Sequence, residues 1–207
     1  MPYENTYCPR PGFGYVRTLS RSEELPLLRD HLLRLDPESR HNRFNGIIDD
    51  NFIDRYAARC AGDGTLVVAF MESGIVRGAA ELHPPEQSDD GVPEIAFSVE
   101  QCVRRQGVGS ILFRRLISEA KWKGYRHLRI TTGADNDAMR ALANKFGARL
   151  VFRWGESMGT IDVPPQPQAE FARLAVDTPL VAARAMMNFY RACRRLFSRM
   201  SRSGRAV

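Results

Sequence analysis

Apolar residues recur along this chain with two periods, and the switching between them predicts the elements. Residues 1–14, rich in Pro, Gly and Asn, read as an irregular lead-in, and Tyr15-Val16-Arg17-Thr18-Leu19 then alternates as a short strand does. Ser22, followed by Glu23 and Glu24, opens a helix with Leu25, Leu28, Leu32 and Leu35 on one stripe, and Asp36-Pro37 ends it. A second helical stretch, about 50–60, carries Phe52, Ile53, Tyr56 and Ala57. Thr65 to Phe70 is a buried strand, and Glu72-Ser73-Gly74 turns it into another, Ile75–Leu82. After the polar loop from Pro84 to Gly91, Glu94 to Val99 alternates with Ile95, Phe97 and Val99 on one face. Gly107 and Gly109 lead into a helix of about fifteen residues, with Ile111, Leu112, Leu116 and Ile117 expected inward. A strand over Arg126 to Thr132, a helix from Ala138 to Phe146 stopped by Gly147, and strands near 149–154 and 157–163 complete the pattern. The order β-α-α-β-β-β-α-β-α-β-β is mixed α/β around one sheet. Residues 15–163 therefore read as one domain, 164–168 as a stiff Pro/Gln linker, and 169–207 as a basic, amphipathic C-terminal helix and tail.

Composition changes this picture in two places. The net charge of +6 suggests a nucleic-acid partner until it is divided along the chain. Residues 169–207 hold eight arginines against Glu170 and Asp177, so the rest has 22 basic and 22 acidic residues and is neutral. No nucleic acid is expected for the main domain. Cys8, Cys60, Cys102 and Cys193 lie far apart with no ligand-spaced histidines, which predicts reduced thiols and no metal site. With no secretory signal and no apolar run long enough for a bilayer, the expected location is the cytoplasm.

The chemistry is expected at Arg104-Arg105-Gln106-Gly107-Val108-Gly109-Ser110. A strand, a turn with two glycines and a helix entrance form a general anion site, because the first helical N–H groups lack intrahelical partners and the dipole favours negative charge. A GxG pair alone is also an ordinary tight turn. Here Val99 precedes the turn, Ile111-Leu112 follow it, and about thirty residues later a segment from Asn136 runs through Leu142, Lys145 and Gly147. Together these resemble motifs A and B of the GNAT superfamily of acyl-CoA-dependent N-acetyltransferases, over roughly residues 15–163. Pro37-Glu38-Ser39-Arg40 with Arg43-Phe44 also looks like N-terminal stretches of that family.

The resemblance implies a GNAT-like mixed sheet flanked by helices, with acetyl-CoA as acyl donor and an amine as acceptor. It implies that Arg104, Arg105, Gln106, Gly107, Val108, Gly109 and Ser110 hold the CoA diphosphate. It also implies that the backbone of Phe97, Ser98 and Val99 bonds pantetheine as an added strand, with the Val99 N–H polarising the thioester carbonyl. Asn136 matches a cofactor-contacting position; a plain helix N-cap is the alternative. Glu94 shares a strand face with the small Ala96 and Ser98 and matches a glutamate that often serves as base; an exposed strand residue or a salt bridge is the alternative. Glu81 and His83 are reserve candidates, His83 reading more simply as a loop-end residue and Asp89 and Asp90 as solvated. Arg40 and Arg43 could recognise a carboxylate, a helix-surface salt bridge being the simpler reading. The tyrosine that often protonates the departing sulfur would fall after Leu142, where this chain has Ala143. That departure leaves open a non-catalytic acyl-CoA-binding module. No cysteine, histidine or serine sits in a nucleophile motif, so direct attack without an acyl-enzyme is expected. In the tail, Arg184, Asn188, Arg191, Arg195, Ser198 and Arg202 step along one face and Met186, Phe189, Cys193, Leu196, Phe197 and Met200 mark another. Over 178–200 this pattern suits docking on the domain, a peripheral membrane surface, or pairing with an acidic protein partner or nucleic acid.

Overall fold

The computed structural model describes residues 14–19, 22–88, 90–153 and 155–164. The lead-in before Gly14, Asp89, the linker beyond Pro164 and the C-terminal helix expected within 169–207 lie outside the described residues. A strand β1 (Tyr15–Leu19) is followed by three helices, α1 (Pro26–Arg34), α2 (Pro37–Phe44) and α3 (Asp50–Gly62). Strands β2 (Leu66–Glu72), β3 (Ile75–His83) and β4 (Glu94–Val99) lead into α4 (Val108–Trp122). Then come β5 (His127–Gly133), α5 (Asp137–Lys145), β6 (Arg149–Arg153) and β7 (Glu156–Asp162).

The pattern predicted two helices ahead of β2, and the described residues form three. Asp36-Pro37 ends α1 as expected but also starts α2. The proline at the first helical position sacrifices no helix bond, and the Asp36 carboxylate accepts the Ser39 N–H at 2.9 Å. The short α2, closed by Asn45 in the left-handed region at φ 52°, proves central to the site.

The seven strands form one sheet in the order β1-β2-β3-β4-β5-β7-β6. Every described pairing is antiparallel except β4 with β5. Alternate residues of β2 and β3 feed two cores on opposite faces. Val67, Ala69 and Ala79 meet Leu28, Leu32, Ile53 and Tyr56 of α1 and α3. Val68, Ala80 and Leu82 meet Leu112, Phe113 and Leu116 of α4. Within α4 the buried stripe is Val108, Leu112, Phe113, Leu116 and Ala120, with Ile117 packed at its edge. Ile111, expected inward, is 40% exposed because it falls a hundred degrees behind Leu112 on the helix. Phe113 stacks between Phe97 and Phe146, with centroids 4.9 and 4.2 Å away. This stack joins β4, α4 and the end of α5.

Gly109 owes its place to packing. A Cβ there would come within 3.3 Å of Leu142 Cδ2, so the missing side chain lets α5 approach the entrance of α4.

The aromatic stack makes Phe113 the core position whose loss reaches farthest. Phe113→Ala is expected to lower stability by about 3–5 kcal/mol, read as a shift of the urea unfolding midpoint.

Candidate active site

The site begins where two strands part. The parallel pairing of β4 with β5 covers only Glu94 opposite Arg129 and Ile95 opposite Ile130. On its other side β4 pairs with β3 along its whole length, from Glu94 opposite His83 to Val99 opposite Gly78. Two hydrogen bonds set the direction of the β4 backbone groups: the Glu100 N–H donates to Arg77 on the β3 side, and the Arg129 N–H reaches Pro93 from the β5 side. Backbone groups alternate along a strand, so those of Phe97 and Val99 point into the gap left by β5. The Val99 carbonyl accepts from Arg104 Nε at 3.1 Å.

Ser98 is placed differently from its neighbours. Its backbone faces β3, and its hydroxyl lies 2.9 Å from His31 Nε2 in a buried cluster. Of the three β4 residues expected to bond pantetheine through the main chain, only Phe97 and Val99 present their groups to the gap. In the same cluster Glu100 accepts from Arg77 Nη1 at 2.6 Å and Arg34 Nε at 3.0 Å, with His31 Nδ1 at 3.2 Å. Burial opposes ionisation of Glu100, but the hydrogen bonds from His31 and Arg77 outweigh it and bring its pKa down to about 2. This network anchors the end of β4 to α1 and β3.

Beyond β4, Arg105 at φ 60° and Gly107 at φ 83° fold the chain back into the entrance of α4. The first helical bond runs from the Ile111 N–H to the Gly107 carbonyl, and no side chain caps the helix. Among the described residues nothing accepts from the N–H groups of Val108, Gly109 and Ser110. A Cβ at Gly107 would meet open space, so that glycine serves the left-handed conformation. The side chains of the turn are partly spent on the protein. Arg104 Nη2 donates to the Ser39 hydroxyl of α2, and Gln106 Nε2 donates to the Cys102 carbonyl at 3.0 Å. The Ser110 hydroxyl accepts from Lys145 Nζ at 3.0 Å. Asn136 takes up the N-cap role, its side chain accepting the Met139 N–H at 3.0 Å.

Two cavities open on this arrangement. The larger, about 900 Å³, runs from Phe97, Ser98 and Val99 over Arg104, Arg105 and Gly107–Ser110 to Lys145. The smaller, about 370 Å³, lies between α2, α3 and the fork, beside Tyr56, His83, Glu94, Ala96 and Thr131. Asn42, Arg43, Phe97, Asn136 and Met139 line both, so the cavities meet at the fork. Of the residues expected to hold the cofactor, only Gln106 lines neither.

The smaller cavity holds the titratable chemistry. Glu94 pairs with Arg129 at 3.0 Å, and Arg129 also reaches Asp90 at 3.0 Å. Its cross-strand neighbour His83 is mostly buried rather than a loose loop end. Arg43, expected on the helix surface, is instead 8% exposed and pairs at 2.9 Å with the fully buried Glu81. It also donates to the Tyr56 hydroxyl at 2.5 Å. Burial alone would raise the Glu81 pKa; the charges of Arg43 and His83 and the Tyr56 hydrogen bond outweigh it and hold it below the usual carboxylate range. Burial likewise pushes His83 below the usual imidazole value, against the pull of Glu81. Tyr56 was read from the sequence only as part of an apolar stripe. The available signal was its distance of one helical turn from Phe52 and Cys60, which marks a face but not where a hydroxyl ends.

Among the described residues no group of three or more His, Cys, Asp or Glu is placed to hold a metal ion. No described helix is long and apolar enough to cross a membrane. Ala143, at the position where a tyrosine would be expected, is fully buried in the α4-side core.

Comparison with known proteins points to one family and one fold. The model of the acetyltransferase (GNAT) family matches residues 28–148. The acetyltransferase Pat of Mycolicibacterium smegmatis is 33% identical over 85 residues, covering 41% of this chain and 26% of that protein. The matched stretch is thus about a quarter of that curated relative's length. Among solved structures, the GNAT domain of S. lividans PAT superposes with a TM-score of 0.60 at 17% identity, over 72% of this chain and 90% of that one. YncA of Salmonella typhimurium, solved with its cofactor acetyl-CoA, gives 0.54 at 20% identity, over 75% and 96%. At these identities the two structures speak to the fold.

The Glu100 cluster predicts a pH dependence. Its carboxyl is depressed from 4.5 to about 2 on folding, so its contribution is complete above pH 4.5 and is lost as pH falls toward 2. Urea midpoints measured across that window are expected to fall more steeply for the wild type than for Glu100→Gln.

Proposed function

This chain belongs to the GNAT family of acetyltransferases, whose model covers more than half of it, and from that premise we propose that it moves an acetyl or other short acyl group from acyl-CoA to an amine. The fork carries the reading. β4 keeps β3 on one side and loses β5 after two residues, which leaves main-chain groups of Phe97 and Val99 facing a cavity. An extended amide-bearing chain such as pantetheine can take the place of the missing strand. The CoA diphosphate then meets the unpartnered N–H groups of Val108, Gly109 and Ser110, where the α4 dipole adds to the attraction. The Val99 N–H donates to the thioester carbonyl and stabilises the charge that develops on its oxygen.

The amine enters through the smaller cavity and attacks where the two cavities share Phe97, Arg43 and Asn136. A new C–N bond replaces the C–S bond in one addition and collapse, with no acyl-enzyme. Cys60 is unsuited to form one, since burial and the Glu81 charge push its thiol up to about 12. Glu94, in the wall of the smaller cavity, supplies the carboxylate on the base side. The buried Ala143 has no proton to give the sulfur. A thiolate, the conjugate base of a thiol with pKa near 8.5, leaves tolerably at neutral pH.

Calorimetry with CoA, and thiol release from acetyl-CoA in the presence of pooled amines and peptides, test the two halves of this reading. Gly107→Glu is expected to weaken CoA binding at least about tenfold beyond Gly107→Ala, which controls for the left-handed backbone; equal affinities would remove the diphosphate from the turn. Glu94→Gln is expected to lower kcat/KM about tenfold, because it removes a negative charge that favours loss of the amine's proton. Binding of acyl-CoA with no release to any amine would favour the non-catalytic binding module.

A further inference from the structure

A line of hydrogen-bonding groups runs along the smaller cavity and is one proton short. It starts at the Glu81 carboxylate, to which the Tyr56 hydroxyl donates. The Tyr56 oxygen lies 3.1 Å from His83 Nε2, and His83 Nδ1 lies 3.2 Å from the Thr65 hydroxyl. Thr65 donates in turn to Asp63 Oδ1 at 2.7 Å. Four contacts link two carboxylates, and each needs one proton. With a neutral imidazole the line has three: one each on Tyr56, His83 and Thr65. Tyr56 directs its proton to Glu81 and its oxygen already accepts from Arg43, whereas Thr65 directs its proton to Asp63 and among the described residues its oxygen has no donor but His83, so the His83 proton belongs on Nδ1, facing Thr65. The vacancy is then between His83 Nε2 and the Tyr56 oxygen, and both of these residues line the cavity. A fourth proton on Nε2 completes every contact.

We propose that this line is the proton-accepting site of the acyl-transfer reaction, with His83 Nε2 taking the proton that the acceptor's ammonium must lose before it attacks. The inference rests on the acyl-transfer reading for the origin of that proton. An N–H bond of R–NH3+ breaks, its electron pair stays on nitrogen, and the proton bonds to Nε2. The freed amine attacks the thioester, C–N forms as C–S breaks, and the surplus proton on the attacking nitrogen goes to the thiolate. The imidazolium returns the Nε2 proton to solvent through the cavity that His83 lines, which restores the Nδ1–H tautomer. The surroundings are balanced for reversible uptake. Glu81 from β3, Glu94 from β4 and Asp63 at the end of α3 favour the imidazolium, while burial and Arg43 from α2 oppose it. Arg59 and Cys60 of α3 complete the titratable groups around the neighbouring Tyr56. Tyr56, Thr65, Glu81 and Asp63 are positioning residues, and Glu94 acts on the proton through its charge on His83.

Long-range proton–nitrogen NMR on histidine-labelled protein reads the His83 tautomer and its titration without any substrate. At neutral pH the wild type is expected to carry its single ring proton on Nδ1. Thr65→Val removes the acceptor for that proton and should move it to Nε2, lowering the His83 pKa by about one unit; Thr65→Ser should restore both. A resting Nε2–H tautomer, or a titration unmoved by Thr65→Val, overturns the proposal. With any amine that supports thiol release from acetyl-CoA, the acid limb of kcat/KM should follow the NMR pKa across wild type, Thr65→Val and Thr65→Ser. A limb that stays in place while His83 moves also overturns it. No release with any amine would count against the reaction, and the tautomer result would still decide the proton site.

Discussion

The structure depends on a parallel strand pair that stops early. A sheet ordinarily satisfies every interior N–H and C=O, and a gap between neighbouring strands leaves groups that need other partners. Here β4 stays bonded to β3 to its end while β5 diverges after Ile95 and Ile130. The departure is held open from both sides. Phe113 stacks on Phe97 on one face, and the Glu100 cluster clamps the end of the strand on the other. The unpaired edge is therefore a rigid feature of the fold. The turn into α4 follows within a few residues and adds three more free donors to the same cavity.

Most of the architecture was legible in the sequence because its elements obey a single period each. The leucine stripe of α1, the alternation of β4 and the glycine stop after α5 each followed from local spacing. The missed helix α2 shows the limit of that method: Asp36-Pro37 is equally a terminator and an initiator, and eight mostly polar residues give no stripe to decide between them. The glycines of the turn were legible as a pair, but not their separate reasons. Gly107 answers to backbone angle and Gly109 to Leu142, a residue thirty-three positions away whose approach depends on tertiary packing.

The polar interior of the smaller cavity was the least legible part. Spacing placed Glu81 and His83 on one strand face, yet nothing local could reveal that Arg43 and Tyr56 arrive from two helices to meet them. Buried charges are retained at a desolvation cost that close partners offset. Their identities depend on contacts between distant segments, which periodicity cannot report. Ser98 illustrates the same point from the opposite side: its position in the motif was clear, while its commitment to His31 required knowing where α1 packs.

The helix α2 joins two events that would otherwise be separate. Its first turn is gripped by Arg104 through the Ser39 hydroxyl, and its last turn sends Arg43 into the wall shared by both cavities. A strut of eight residues is too short to bend appreciably, so a displacement at one end is delivered to the other. A shift of Arg104 at the turn would therefore reach Arg43 where the two cavities meet.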